Sequence, residues 1–292
     1  MYKQVDFNSL PDKIKGYICG LWSADGCLRS DSKIVSMSLA DYSTLKFIAE
    51  TLVEPPAKIS TRQPVERKIG EQTFTGSEYH CLAITNHSFY QYCLDMGITP
   101  RKTYNLDVKL DDKSDEFKWY FLRGAIDGDG CIVKGPNLQR CAIELVSASQ
   151  VYISYLQSIF GGAIKISKPL NGGSVPLFRL IFCSNRAKQL ANLLPTDSFT
   201  MKRKTAKIVE LQQVQGKTLK LTRPVFLSGS IFKNSISLLT EAEENLVALY
   251  KGTGNQSIVA SQLGLARSTV QTTLKKAGMI SILKPGQPKE RK

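Results

Sequence analysis

Ile18-Cys19-Gly20-Leu21-Trp22-Ser23-Ala24-Asp25-Gly26 returns in pattern as Leu122-Arg123-Gly124-Ala125-Ile126-Asp127-Gly128-Asp129-Gly130. Each copy runs on into cysteine and an aliphatic residue, Cys27-Leu28 and Cys131-Ile132. The eighth position is aspartate in both, Asp25 and Asp129, and the two lie 104 residues apart, about the length of a small domain. A unit that recurs with a carboxylate in the same place points to two related halves in one chain and a site of approximate twofold symmetry.

Reading outward from the first copy, Ile14, Tyr17, Ile18, Leu21 and Trp22 recur at helical spacing behind Pro11-Asp12, where Asp12 is placed to cap the helix. The helix is expected to close at Asp25-Gly26, with Gly26 in the left-handed conformation that commonly ends helices. The second copy predicts the same from Phe117 to Asp129-Gly130. Short strands follow both, at 27–29 and 131–133, each pairing as a hairpin with a second strand at 33–40 and 141–146. Helices are expected at 42–52 and 151–160, strands at 57–61 and 78–85 and again at 163–167 and 177–183, then short helices at 88–96 and 186–194. The order helix, two strands, helix, two strands, helix thus runs twice, and the fold class is α+β with two pseudo-symmetric αββαββα halves. The expected divisions are a first half at 1–106, a polar linker at 107–115, a second half at 116–212, a basic connector at 213–239 and a small helical domain at 240–292.

Charge indicates the partner. The 292 residues carry 39 Lys and Arg against 25 Asp and Glu, a formal net charge of +14. Such a field favours polyanions and salt-sensitive association, so double-stranded DNA is the expected partner. A membrane is not, because no run of about eighteen apolar residues exists. The seven cysteines include no Cys-x-x-Cys pair, which excludes a zinc ribbon, and the free thiols are expected to pack as small hydrophobes. With two histidines, His80 and His87, a His-rich metal centre is excluded too. A cytoplasmic, nucleoid-associated monomer is expected, in a bacterial or phage-infected cell.

The repeated stretch also carries chemistry. Gly20 and Ala24, and Gly124 and Gly128, set small residues four apart, which lets two helix backbones approach closely. A carboxylate at a helix C-terminus is electrostatically unfavourable, since that end already bears unpaired carbonyl oxygens. The same cost at two matched places calls for a cation. Carboxylate and carbonyl oxygens are hard ligands suited to Mg2+, with Mn2+ as a substitute. Metals held there can polarise phosphoryl oxygen and activate water for hydrolysis of two DNA strands. The competing reading, two aspartates that merely begin turns before glycine, suits one Asp-Gly better than a duplicated pair.

At these residues the chain resembles the single-chain LAGLIDADG homing endonucleases, over about 200 residues. The resemblance implies motif helices at the interface of the halves, curved antiparallel sheets forming a saddle over DNA, and cleavage of both strands of a long target leaving 3′ overhangs. It implies metal binding by Asp25 and Asp129, assisted by the backbone carbonyls of Ala24 and Gly128. It implies a basic residue near the end of each half, which maps onto Lys102 in Pro-Arg-Lys-Thr103 and Lys204 in Lys-Arg-Lys-Thr205. The first copy departs from the pattern, with Ser23 where the second has Asp127. A sporulation-type regulator of similar fold that binds DNA without cutting, and an RNA maturase acting on intron RNA, are the alternatives.

Strand alternation nominates the DNA-reading side chains: Arg29, Ser36, Ser38, Lys58 and Arg62 in the first half, and Lys134, Lys165, Ser167 and Arg179 in the second. Beyond residue 213 the chain is more basic per residue. A capping box at Thr240-Glu-Ala-Glu243, a helix at 256–263 and another at 267–277 form a helix-turn-helix pattern. Arg267, Ser268, Thr269, Gln271, Thr272 and Lys275 are its candidate DNA contacts.

Overall fold

The computed structural model describes residues 3–64, 66–69, 72–135, 140–167, 175–213, 246, 255–263 and 270. A short β1 (Lys3–Gln4) leads into α1 (Asp12–Ala24), which ends in the first copy of the repeated stretch. β2 (Gly26–Leu28) and β3 (Ile34–Leu39) pair antiparallel, and α2 (Tyr42–Leu52) follows. After β4 (Val53–Glu54), which pairs with β1, come β5 (Ser60–Arg62), a hairpin of β6 (Glu66–Ile69) and β7 (Gln72–Thr75), then β8 (Tyr79–Thr85) and α3 (His87–Asp95). The second half runs α4 (Asp115–Asp129), β9 (Gly130–Lys134), β10 (Cys141–Ser147), α5 (Gln150–Phe160), β11 (Ala163–Ser167), β12 (Leu177–Cys183), α6 (Asn185–Leu193) and α7 (Lys202–Gln213).

Both halves build the same sheet. The strand orders are β2-β3-β8-β5 and β9-β10-β12-β11, antiparallel throughout, so the αββαββα order folds to one topology twice. Alternation fixes which face is covered: Val35, Met37 and Leu39 of β3 and Leu82 and Ile84 of β8 are buried, as are Ile143 and Leu145 of β10 and Phe178, Leu180 and Phe182 of β12. α2 packs on β3 and β8, and α5 on β10 and β12, from that covered side. The opposite face of each sheet stays open. α1 and α4 lie against each other, burying Tyr17, Ile18, Leu21 and Trp22 with Phe117, Phe121, Leu122 and Ile126.

Several expectations are corrected. Asp12 does not cap α1; Pro11 stands at that position, and Asp12 instead accepts from Ser114 Oγ at 2.5 Å. Ser114 in turn caps α4 by accepting from Phe117 N at 3.2 Å, so the helix starts are tied together. Gly26 and Gly130 are not left-handed: both open strands, Gly130 with φ −89° and ψ 158°. Their reason is space, since a Cβ would lie 2.3 Å from Trp22 Cδ1 at Gly26 and 2.4 Å from the Ile126 oxygen at Gly130. The hairpin β6–β7 was not foreseen, nor was α7 as a helix beyond the repeated order. The segment 107–115 is not a loose polar linker. Leu106, Val108 and Leu110 are buried in alternation with polar residues, Lys109 N donates to the Met96 oxygen, and Leu110 N donates to Tyr155 Oη. It already enters α4 at Asp115.

The chain divides into a unit at Met1–Thr222 and one at Arg223–Lys292. In the second, α8 (Gln256–Leu263) coincides with an expected helix, and Leu246, Val259, Ala260 and Val270 are buried. The connector at 213–239, save Gln213 in α7, and the candidate contacts Arg267, Ser268, Thr269, Gln271, Thr272 and Lys275 lie outside the described residues. Among the described residues no helix is long and apolar enough to cross a membrane.

Candidate active site

Two glycines let the backbones of α1 and α4 touch. A Cβ on Gly20 would stand 2.1 Å from the Phe121 oxygen, and one on Gly124 would stand 2.2 Å from the Tyr17 oxygen. No L side chain fits either place. At the C-terminal end of this seam Gly128 faces Ala24, and its missing Cβ would lie 3.1 Å from Asp25 Oδ2. The two ends therefore bring Asp25 and Asp129 to one place.

Neither carboxylate receives a hydrogen bond from the described residues. Burial raises Asp25 from its ordinary value, with Lys204, Lys102 and Arg203 opposing the rise. Burial, and then the Asp25 charge, push Asp129 up to about 6 against the pull of Lys102 and Lys204. Two neighbouring acids that reach the surface, lack donors among the described residues and are partly desolvated, one raised further by the charge of the other, form a place where a cation lowers the energy.

Two lysines flank them. Lys102, in the turn after α3, donates Nζ–H to the oxygens of Ala24 at 3.0 Å and Gly26 at 2.8 Å. Lys204, in the first turn of α7, reaches the oxygens of Ile126, Asp127, Gly128 and Gly130 at 2.7, 2.6, 3.1 and 2.8 Å. Each ammonium thus sits on carbonyl oxygens at the end of a motif helix, where positive charge is favoured. Burial lowers both, Lys204 to about 8, while the nearby aspartates pull each back up.

The donor set fits a hard divalent cation. Among the described residues no three His, Cys, Asp or Glu side chains gather, so what the chain would offer a cation here is the two carboxylates and helix-end carbonyls, with water to complete the shell. The oxygens of Ala24 and Gly128 each already accept a lysine N–H, and each keeps a second lone pair.

The open sheet faces carry most of the side chains nominated from alternation. Ser36 and Ser38 of β3 and Arg62 of β5 share the first open face, and Arg29 continues it from β2, 3.7 Å from Asp31. Lys58 is exposed just before β5. In the second half Lys165, Ser167 and Arg179 share the open face, with Lys165 directly opposite Arg179 and Glu144 3.2 Å from Arg179. Lys134 does not. It follows Val133 on β9, shares its face with buried Ile132, and pairs with Glu210 of α7.

Sequence reasoning missed a buried network beneath the site. Arg123 and Asp127, both fully buried, form an ion pair with Nε to Oδ1 at 3.1 Å. Asp127 Oδ2 also accepts from Tyr17 Oη and from Met201 N, each at 2.9 Å. Arg123 donates to the Pro195 oxygen and to Thr205 Oγ1, each at 2.7 Å. In the first copy these two places hold Cys19 and Ser23, and Ser23 Oγ bonds the Gly20 oxygen at 2.7 Å and Tyr152 Oη at 3.0 Å. A signal was present: the copies differ in polarity at two positions four apart, as expected of one i,i+4 pair.

No protein-family model matches this chain, and no curated protein matches it either. Solved structures do. Full-length DUF199/WhiA from Thermatoga maritima is 14% identical, with 93% of each chain covered and a TM-score of 0.39. The homing endonuclease I-WcaI bound to its DNA recognition sequence is 12% identical over 68% of this chain and 87% of that one, with a TM-score of 0.43. I-SmaMI bound to uncleaved DNA target in the presence of calcium ions is 13% identical over 85% of this chain and 100% of that one, with a TM-score of 0.36. The structural neighbours of this chain are LAGLIDADG homing endonucleases and the LAGLIDADG-like domain of WhiA.

Proposed function

We propose that this protein is a metal-dependent, site-specific endonuclease of the homing type that hydrolyses both strands of a long DNA target, leaving 3′ overhangs. The observation that carries this reading is the pair of carboxylates, Asp25 and Asp129, brought together at the ends of two matched helices without a hydrogen-bond donor among the described residues, both raised by desolvation and Asp129 further by the Asp25 charge. A binding module has no use for such a pair, because it costs stability and reads no base.

Mg2+, with Mn2+ as substitute, bound by the carboxylates and water supplies Lewis-acid polarisation of phosphoryl oxygen and an acidified water. The chain's own contribution is positional. Asp25 and Asp129 approach from opposite halves, and the carbonyls of Ala24 and Gly128 lie beside them. The ammonium groups of Lys102 and Lys204 stand on the helix-end carbonyls beside the two carboxylates, where they add positive charge to the site. The open sheet faces, with Arg29, Ser36, Ser38, Arg62, Lys165, Ser167 and Arg179, meet the grooves, and the net charge of +14 draws the protein to DNA as a monomer in the nucleoid. The helical C-terminal unit adds a further contact with DNA.

The test begins with duplexes selected for binding from a randomised library in calcium. Adding magnesium to the selected duplex is expected to give breaks in both strands. Asp25→Asn and Asp129→Asn, each alone, are expected to abolish most cutting while keeping calcium-dependent binding. Stable binding with no cutting under magnesium or manganese would turn the assignment to a regulator, and preferential binding of structured intron RNA would turn it to a maturase.

A further inference from the structure

The two site lysines occupy matching places yet are bonded differently. An ammonium group has three N–H donors. Lys204 faces four carbonyl oxygens of the α4 end, all within 3.1 Å, so its three protons are committed to backbone. Among the described residues Lys102 gives two, to Ala24 and Gly26, and keeps one. That remaining N–H has Asp129 and Asp25 as its strongest charged neighbours.

Their mountings differ as well. Met201, three residues before Lys204, donates its N–H to Asp127, and Thr205, the residue after it, accepts from Arg123. The buried Arg123–Asp127 pair therefore grips α7 on both sides of Lys204, and Tyr17 of the first half closes the grip with its own hydrogen bond to Asp127. Lys102 has no such frame. It follows Arg101, whose φ of 57° marks an irregular turn, and Cys19 and Ser23 stand where the ion pair would be.

We propose, on the nuclease reading above, that the two lysines divide their labour: Lys102 donates its free N–H to a non-bridging oxygen of the reacting phosphodiester, whereas Lys204 is a positioning residue that caps α4 and aims Asp129. No proton changes hands in the Lys102 contact; the N–H stabilises charge as it gathers on oxygen. Lys204 acts through the backbone, holding the last carbonyls of α4 so that the Asp129 side chain leaves the helix in one direction.

Three variants of the full chain test this: Lys102→Met, Lys204→Met and Tyr17→Phe. Each is assayed for thermal midpoint in EDTA without DNA, for single-turnover cleavage of the selected duplex, and for the magnesium concentration that gives half-maximal cleavage. Lys102→Met gives up two backbone hydrogen bonds, so it is expected to lower the midpoint less than Lys204→Met does, and to lose cleavage by on the order of 100-fold with no recovery at high magnesium. Lys204→Met is expected to melt several degrees lower and to need more magnesium, with cleavage restored when magnesium is raised. Tyr17→Phe keeps both lysines and loosens only the grip, so it is expected to reproduce the higher magnesium requirement in milder form even if Lys204→Met fails to fold. Equal losses of cleavage with equal midpoints in the two lysine variants would overturn the division, as would an unchanged magnesium requirement in Tyr17→Phe. Wild-type protein that binds the selected duplex and never cuts it overturns the nuclease reading and the Lys102 role with it. A midpoint lowered further in Lys204→Met than in Lys102→Met then still upholds the cap.

Discussion

Asp129 shows how a single side chain makes the fold sensitive to pH. Its folded value of about 6 lies above its ordinary 3.8, so between those values the folded chain holds a proton that the unfolded chain has released. Stability is therefore expected to fall as pH rises through that window, and Asp25 shifts in the same direction. Lys204 has the opposite sign. Lowered from 10.5 to about 8, it is expected to add stability as pH rises between those values, because the unfolded chain then binds the extra proton. Urea midpoints measured in EDTA would show the acidic limb flattened in Asp129→Asn, and parallel curves for the two proteins would refute the assignment. At this scale legibility followed duplication. Asp25 and Asp129 could be read because they occur twice in one setting, whereas Asp127 stood out only as a departure from Ser23, and its partner Arg123, present in one copy only, went unread.

At the level of elements, the seam between α1 and α4 is governed by glycine. Gly124→Ala puts a methyl group where the Tyr17 oxygen stands 2.2 Å away, and backbone cannot rotate aside as a side chain can. A loss of about 1–3 kcal/mol or more is expected in chemical denaturation. The strands were legible from alternation, and their register assigns each nominated residue to a face. Lys165 on the open face is expected to lower the salt slope of DNA binding by about one when changed to alanine. Lys134→Ala is expected to leave that slope unchanged, because Lys134 is engaged with Glu210 on the covered side. Equal slopes for the two variants would contradict the facial assignment. What alternation could not supply was β6–β7, where the run Glu66-Arg67-Lys68 carries no apolar alternation, or the role of 107–115. There Leu106, Val108 and Leu110 are spaced for one buried face, yet the charged residues between them read as a linker.

For the whole molecule, charge is distributed unevenly. The last eighty residues hold twelve Lys and Arg against four Asp and Glu, so the tail carries more than half of the net +14. A chain ended at Leu221 is expected to keep the cooperative unfolding of the Met1–Thr222 unit while binding DNA more weakly and with a shallower salt dependence. An unchanged slope would assign the tail a role other than phosphate contact. The duplicated topology was readable from element order alone, because two identical series constrain each other. The differences between the halves were not, since they arise from tertiary partners such as Tyr17 on Asp127 and Tyr152 on Ser23. The glycine seam has one more consequence. Where two helices meet through main chain, their spacing does not depend on side-chain rotamers and has little room to drift with temperature or sequence change. On the nuclease reading, the stagger between the two cuts is then a fixed gauge. The open sheets could change their preferred bases over many generations while the length of the overhang stayed the same.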